Sequence, residues 1–573
     1  MRRSTAALRP VVAAVLVVLA LSLTSASNLG SLLLGSGVPE ISGPGSPASG
    51  PVAVAPAFAP GASNTWVGAV PASSPMNVVV GLASQDPSGL EAETAAEYTA
   101  GSPLYHHFLS AAQVAARYGP APAAAAAAER YFAGFGLLTQ PLPGGSLLSV
   151  TGPASALGTA FGTSFEEYRS PTGRLFVSHP TPATLPSGVP WTGAVGLGNV
   201  SVPLPLAEPA SGSASPALAS PAASCAGGTS GLSPCELWTA YDSAGLIDSG
   251  TNGSGTSIGI VDVYDGAEPQ TRLSSDLAKF DSTFLLPAPS VGFNYPVPTS
   301  TNPNSTSTGW GVEEALDLEW AHAAAPGASI AMTFAPDTNA GLYAAIDWLV
   351  AADRVDVLSL SWGEPDVGVF NAFSTPCSSA CNASSDGSYE VLGPVLAAAA
   401  LEGITVFSAA GDCGSADGTS GVSTGYPSSD PFVTGVGGTD LSIGSGGVWQ
   451  GETAWSGNAT GARSPGCVNQ GGSGGGFAPF PRPWWQTGPG VPSSPQLRGD
   501  PDVAADGGTA VEIIEGGGAA GVLGTSVATP LWAGVAAIAD QYAGGPLGFL
   551  DPQLYTLLRS ASYTTDFHDI TSG

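Results

Sequence analysis

Residues 311–328 read G-V-E-E-A-L-D-L-E-W-A-H-A-A-A-P-G-A, and two carboxyls in that run decide what the rest of the chain has to provide. Ala, Leu and Glu favour a helix here, and Pro326 with Gly327 supplies its stop. Glu313 and Asp317 are four residues apart, so a helix carries them on one face with their carboxyls within reach of each other. Two carboxyls that close drive their pKa values apart. On a helix otherwise built of Ala, Leu and Trp, such a pair is costly unless one carboxyl shares a proton or gains a partner. The alternative is a solvated acidic face, which an isolated Glu-x-x-x-Asp would suit.

Three other stretches weigh against that alternative. Residues 524–530, G-T-S-V-A-T-P, lead into an apolar run and read as a loop-to-helix transition. Ser526 then sits at a helix N-terminus, where free N–H groups and the macrodipole favour negative charge on its oxygen or on a bound carbonyl. Pro530 is expected in the first turn, where proline is tolerated; a plain Ser cap is the competing reading. Residues 406–414, V-F-S-A-A-G-D-C-G, read as an apolar strand that breaks at Gly411 and presents Asp412 at its carboxyl end, the end at which open α/β sheets carry their chemistry. Residues 357–363, V-L-S-L-S-W-G, read as another buried strand ending in a turn of small residues.

In this order, E-x-x-L-D with A-P-G-A, then S-x-S-W-G, A-A-G-D-x-G and G-T-S-x-A-x-P resemble the sedolisin, or serine-carboxyl peptidase, family in its kumamolisin-like form. The resemblance implies an α/β fold: a subtilisin-like catalytic domain with a mostly parallel sheet and flanking helices, preceded by a small α+β, ferredoxin-like pro-domain. It makes Ser526 the nucleophile, Glu313 its general base, Asp317 the residue that orients Glu313, and Asp412 the oxyanion-hole donor. Leu523 departs from the Gly or Ser that the family usually places before G-T-S. Substrate binding is assigned to Ser361, Trp362 and Gly363, and to Gly474 and Gly475 in the glycine stretch 471–476. Glycines there bring backbone close to an extended peptide. A phosphate-cradling loop is rejected, because no Lys-Ser/Thr follows.

At 573 residues the chain is too long for one domain, and its 43% hydrophobic content is ample for packed cores. Residues 1–27 resemble an export signal, with Arg2, Arg3 and Arg9 before a short apolar run, although an uncleaved membrane anchor is the alternative. Residues 28–65 read as a Gly/Pro/Ser/Ala-rich linker. Residues 66–200 read as a separate α+β unit, and S-P-L-Y-H-H-F-L at 102–109 with Tyr118, Gly119 and Pro120 resembles the family's activation domain. His106 and His107 lack a third ligand at useful spacing for a metal. Residues 201–224, nearly all Pro, Ala and Ser, are expected to be extended, exposed and open to proteolytic nicking. The peptidase domain is expected over 225–573.

A charge of -30, from 14 Lys+Arg against 44 Asp+Glu, argues against nucleic-acid binding, which needs a basic face. A Ser-His-Asp enzyme is the rival peptidase, since Asp262 in I-V-D looks like a triad aspartate. Its histidine is missing: His322 lies about 140° round the helix from Asp317, and His568 follows Ser526. Asp262 therefore reads as a structural or substrate-side carboxylate. Six cysteines allow fifteen pairings, none deducible. Residues 567–573 resemble the first half of the family's calcium site, with the Asp569 carboxylate and Ile570 carbonyl as ligands. The second half, a downstream glycine-rich stretch ending in Asp, is absent from the sequence, and calcium needs six or more oxygens.

Carboxyl chemistry suits acid. At pH 3.5 a histidine of pKa about 6.5 is neutral about one part in a thousand, a penalty of about 4 kcal/mol for a general base, whereas a glutamate near 4.3 loses about 1. The expectation is a secreted, acid-acting, monomeric endopeptidase that acts on proteins and peptides and is made as a self-processing zymogen inhibited by its own pro-domain. A catalytically inactive peptide-binding family member and a cell-surface structural protein are the alternatives.

Overall fold

A computed structural model of the chain describes residues 50–57, 64–171, 173–199, 203–210, 228–266, 269–297, 309–366, 387–417, 422–457 and 471–573. The expected export signal, the linker before residue 50, residues 211–224, and Cys225, Cys377, Cys381 and Cys467 lie outside the described residues. Cys235 and Cys413, both described, are disulfide-bonded. Among the described residues no helix is long and apolar enough to cross a membrane.

The peptidase unit is built on an eight-stranded sheet. Its strands are β1 (Ser257–Val263), β2 (Ser290–Asn294), β3 (Ser329–Ala335), β4 (Val357–Leu360), β5 (Thr405–Ala409), β6 (Thr434–Ile443), β7 (Trp449–Ala454) and β8 (Val503–Asp506). The order is β2-β3-β1-β4-β5-β6-β7, with β8 also pairing β6; all pairs are parallel except β6 with β7. Strands β1, β4 and β5 are buried along nearly their whole length, as parallel strands covered on both faces must be. They are also neighbours, so Asp262, Ser361 and Asp412 emerge side by side at one edge.

Two helices bring the remaining groups to that edge. α1 (Trp310–Ala324) carries Glu313 and Asp317 and is buried along almost its entire length. α2 (Asn339–Val350) and α3 (Ser388–Leu401) follow it in the chain, and α1 packs against α4 (Thr525–Ala543), which carries Ser526. Their approach depends on small residues: a Cβ on Gly534 would lie 2.3 Å from the Ala324 Cβ. Pro530 is the sixth residue of α4, not part of its first turn, so the proline removes one backbone hydrogen bond from the helix interior.

The unit before it has its own core, in which Val78, Val80, Phe132, Leu148, Leu157 and Phe161 meet. Its four-stranded antiparallel sheet contains Pro75–Leu82, Leu138–Pro141, Leu147–Pro153 and Trp191–Val195, with helices Pro87–Glu97, Ala111–Tyr118, Pro122–Ala133 and Ala154–Phe161. Glu166–Arg169 and Leu175–Ser178 pair antiparallel. Part of the expected linker is ordered, because Val52–Ala55 pairs with Ala183–Leu185 and buries Val54 and Ala55.

The S-P-L-Y-H-H-F-L segment and the residues just before it dock this unit onto the peptidase. The Tyr98 hydroxyl donates to the Ala400 carbonyl at 2.5 Å and accepts from the Phe549 N–H at 2.9 Å. The Leu109 N–H reaches the Leu401 carbonyl at 2.9 Å. His106 stacks on Tyr105 and Phe108 and meets the Gln553 side chain. At the opposite side of the contact, the Asp347 carboxylate accepts from the Gly144 N–H at 3.0 Å.

Candidate active site

Glu313, Asp317 and Ser526 are wholly buried and Asp412 nearly so, and all four converge where the carboxyl ends of β1, β4 and β5 meet α1 and the start of α4. The Ser526 hydroxyl lies 3.2 Å from the Ser361 carbonyl oxygen and within hydrogen-bonding reach of the Glu313 carboxyl. The Ser361 hydroxyl in turn donates to Asp317 Oδ1 at 2.6 Å. Ser361 thus touches both the hydroxyl of Ser526 and the second carboxyl of the pair.

Burial raises both carboxyls far above the ordinary range, and the nearby Asp262 charge raises them further. Asp262 is itself fully buried and likewise raised by burial. It is therefore a third carboxyl beside the pair; the sequence signal was its place at the carboxyl end of a buried strand. Neither peptidase-unit histidine takes its place as a base: the His322 ring meets the Pro287 carbonyl, and His568 stacks on Trp449 beside Glu452.

Asp412 is fixed by α4. Its Oδ1 accepts from the Thr525 N–H at 2.8 Å and the Thr525 hydroxyl at 2.7 Å. Burial raises the carboxyl well above its ordinary value, with the Glu208 charge as the next contribution. The two Thr525 donors hold Oδ1, so a proton on this carboxyl belongs on Oδ2. Gly474 donates to the Gly411 carbonyl at 2.6 Å, and a Cβ on it would collide with the Ala410 carbonyl oxygen, 1.8 Å away. Gly475 lies against the Asp500 carbonyl. Gly474 thus packs against the turn that presents Asp412.

What occupies the cleft is the chain itself. Residues 203–210 were expected to be exposed, yet Ala207 and Glu208 are buried. Leu204–Pro205 pairs antiparallel with Trp362–Pro365, placing Leu204 opposite Gly363 and Pro205 opposite Trp362. Glu208–Pro209 pairs antiparallel with Gly518–Leu523, placing Glu208 opposite Leu523. Leu523, the departure from the family pattern, is thus a backbone partner of the bound segment. Pairing along residues 521–523 was not read from the sequence, where only the position before G-T-S stood out.

Asp569, assigned to calcium with Ile570, is exposed and accepts from the Tyr563 hydroxyl at 3.1 Å. Ile570 is half-buried. Among the described residues no group of three or more His, Cys, Asp or Glu side chains is placed to hold a metal ion. The Asp569 carboxylate and the Ile570 carbonyl would supply two of the six or more oxygens that calcium takes.

A subtilisin-like α/β domain with a buried serine among carboxyls, joined to a small α+β unit, defines a serine peptidase with an activation domain. Comparison with known proteins agrees. Residues 63–190 match the pro-kumamolisin activation domain and residues 304–561 match the subtilase family. Kumamolisin of Bacillus sp. (strain MN-32) is 32% identical over 441 residues, 74% of this chain and 72% of that protein. Sedolisin of Pseudomonas sp. (strain 101) is 27% identical, covering 87% of this chain and 81% of the relative. Among solved structures, Pseudomonas sedolisin, a serine-carboxyl proteinase complexed with pseudo-iodotyrostatin, superposes with a TM-score of 0.50 at 25% identity, over 60% of this chain and 89% of that one. The chain belongs to the sedolisin family of serine-carboxyl peptidases and carries that family's pro-domain.

Proposed function

We propose that this chain is a secreted, acid-acting endopeptidase, made as a self-processing zymogen, in which Ser526 is the nucleophile, Glu313 its general base, Asp317 the residue that positions Glu313, and Asp412 the oxyanion donor. The observation that carries the reading is the convergence of those four buried groups on one peptide segment in the cleft. Glu313 takes the Ser526 proton as the hydroxyl attacks. Asp317 is held through Oδ1 by Ser361, while its Oδ2 has no hydrogen-bond partner among the described residues, as suits a carboxyl that shares a proton with its neighbour. Ser361, Trp362 and Gly363 supply the edge to which a substrate strand adds, by the backbone pairing that proteases use to hold extended peptides. Digestion of casein at pH 4, compared with pH 7, tests the activity; an intact substrate at both would favour the inactive peptide-binding alternative.

The buried carboxyls favour acid. Burial pushes Asp366, Asp417 and Asp430 up to about 7 and Asp500 up to about 8. A carboxyl raised in the folded state binds more protons there than in the unfolded chain. Its contribution is complete below the unfolded value near 4 and is lost as pH rises through the folded value. One pKa unit corresponds to about 1.4 kcal/mol, so four such groups leave several kcal/mol even when heavily discounted for relaxation. Thermal unfolding should show a Tm lower by roughly 10 °C at pH 8 than at pH 4. A Tm that rises over that interval would count against an acid-adapted fold.

The pro-domain is the inhibitor in this reading, because it stays docked while its following segment fills the cleft. Burial holds His106 down at about 4, so the docked state prefers its neutral ring. That preference is complete above the ordinary histidine value near 6.5 and is lost as pH falls toward 4. Glu97, pushed up to about 8 by burial, works in the opposite direction. Through His106 the separated pro-domain gains affinity as pH rises from 4 to 7, so His106→Gln should lower the ratio of its inhibition at pH 7 to that at pH 4 by about tenfold, well short of the full shift because the ring is partly exposed. An unchanged ratio of inhibition constants would remove His106 from the release.

A further inference from the structure

We propose that the first bond this peptidase cuts is the Leu206–Ala207 bond of its own chain. The inference rests on the catalytic roles given above and adds the scissile bond. Five contacts place it. The Leu206 N–H donates to the Ser361 carbonyl at 3.3 Å, the oxygen the Ser526 hydroxyl also meets at 3.2 Å. The Leu206 carbonyl oxygen lies 2.0 Å from the point where a Cβ on Gly524 would stand, and Asp412 Oδ2 lies 2.7 Å from that same point. The oxygen that becomes the oxyanion and the donor meant for it therefore border the same space over Gly524, whose missing side chain keeps it open. On the other side of the bond, the Ala207 N–H donates to Glu313 Oε2 at 2.6 Å. Beyond it, the Ala210 N–H holds the Gly521 carbonyl at 2.8 Å.

Residue types along the segment agree with this register. Leu204 and Leu206 stand at the positions that exchange backbone hydrogen bonds with the 361–363 edge, and Pro205, which has no N–H to give, stands opposite Trp362 between them. The Leu206 side chain reaches over Gly363: its Cδ1 is 4.0 Å from the position of a Cβ on that glycine. A bulkier residue at 363 would intrude on the space leucine uses. Ala207 packs into the main core of the peptidase unit, with its N–H on Glu313.

The reaction balances within these groups and one water. Ser526 Oγ forms a bond to the Leu206 carbonyl carbon while its proton passes to Glu313. The Leu206–Ala207 C–N bond then breaks, and the same proton goes to the Ala207 nitrogen, which leaves as an amine. Water attacks the Leu206 ester, giving a Leu206 carboxyl terminus and restoring the Ser526 hydroxyl.

The test is a time course of the full chain, purified uncut at neutral pH and shifted to pH 4, with new termini identified by mass spectrometry after N-terminal labelling. The earliest pair of termini should be Leu206 and Ala207. Ala207→Pro, which has no N–H for Glu313, should slow that cut by about 100-fold. Should the variant misfold, the free peptide of residues 203–210 offered to the processed wild-type enzyme serves in its place, with scission expected between its Leu and its Ala. An earliest cut elsewhere in 201–224, or a peptide left whole or cut elsewhere by an enzyme that digests casein, would overturn the assignment of this bond and leave the zymogen reading standing. Wild-type chain that stays whole at pH 4 would count against that reading itself.

Discussion

Ser526→Ala is expected to give a chain that stays whole at pH 4 for as long as the parent takes to process many times over. Removing a serine that acts together with its base lowers turnover by roughly 10⁵- to 10⁶-fold. The segment is already seated in the cleft, so the loss appears at the bond-making step and not in docking. The variant should therefore keep the cleft filled: Ala207 and Glu208 should stay protected from added protease while the rest of the chain folds normally. Size analysis of purified protein over hours at pH 4 checks it. Efficient self-processing by the variant would sink the nucleophile assignment, because Ser526 is the hydroxyl within hydrogen-bonding reach of Glu313. Trans cleavage by trace wild-type enzyme is separated from true self-processing by its dependence on protein concentration.

The parts of this site that were legible in the sequence are those carried by regular elements. Glu313 and Asp317 fall on one helical face because 3.6-residue periodicity leaves no other arrangement, and the Ala, Leu and Trp around them announced a buried helix. Asp412 and Asp262 were visible as charges at the ends of apolar strands, and Ser526 as a hydroxyl before an apolar helix. Long-range contacts were not visible. The segment 203–210 looks like an exposed linker because Pro, Leu and Ala lack charge and periodicity. Its burial comes from pairing on two strand edges about 160 and 315 residues further along the chain, which no local pattern encodes. For the same reason Val52–Ala55 reads as linker although it is a strand, its partner being Ala183–Leu185. The helix Ala111–Tyr118 has few long apolar residues to mark it in the sequence, and its start is marked only by the capping box of Ser110 and Gln113. Pro530 misled by one turn: proline is tolerated early in a helix, and here the tertiary contact of α4 with α1 carries it further in.

Asp412→Asn separates a protonated carboxyl donor from every mechanism based on histidine. The Thr525 N–H and hydroxyl both donate to Oδ1, so an amide should seat its oxygen there and turn its NH₂ to the position of Oδ2, toward the Leu206 carbonyl oxygen. A donor of similar shape is kept, but one that is weaker and does not titrate. Losing an oxyanion donor outright costs about 10²- to 10³-fold in kcat; keeping a weaker one should cost less, of the order of tenfold. The distinguishing effect lies in the pH profile. In the parent, kcat/KM should rise as the Glu313 and Asp317 pair reaches its working ionisation and fall as Asp412 loses its proton. Burial and the neighbouring Glu208 both oppose that loss, so the carboxyl stays protonated beyond the range of an ordinary aspartate. After the cut Glu208 remains on the new amino-terminal segment of the peptidase; when that segment moves out of the cleft its contribution is lost, and the alkaline limb for small substrates that lack an acid at that position should lie lower than for the chain's own segment. In Asp412→Asn the limb should extend toward neutral pH, and the difference between the two kinds of substrate should vanish with it. Glu313→Gln, by contrast, should abolish turnover at every pH. A profile for Asp412→Asn that keeps the parental alkaline limb would show that the titrating group is elsewhere in the cluster, with Asp262 the next carboxyl to test, and would leave Asp412 as a brace for Thr525.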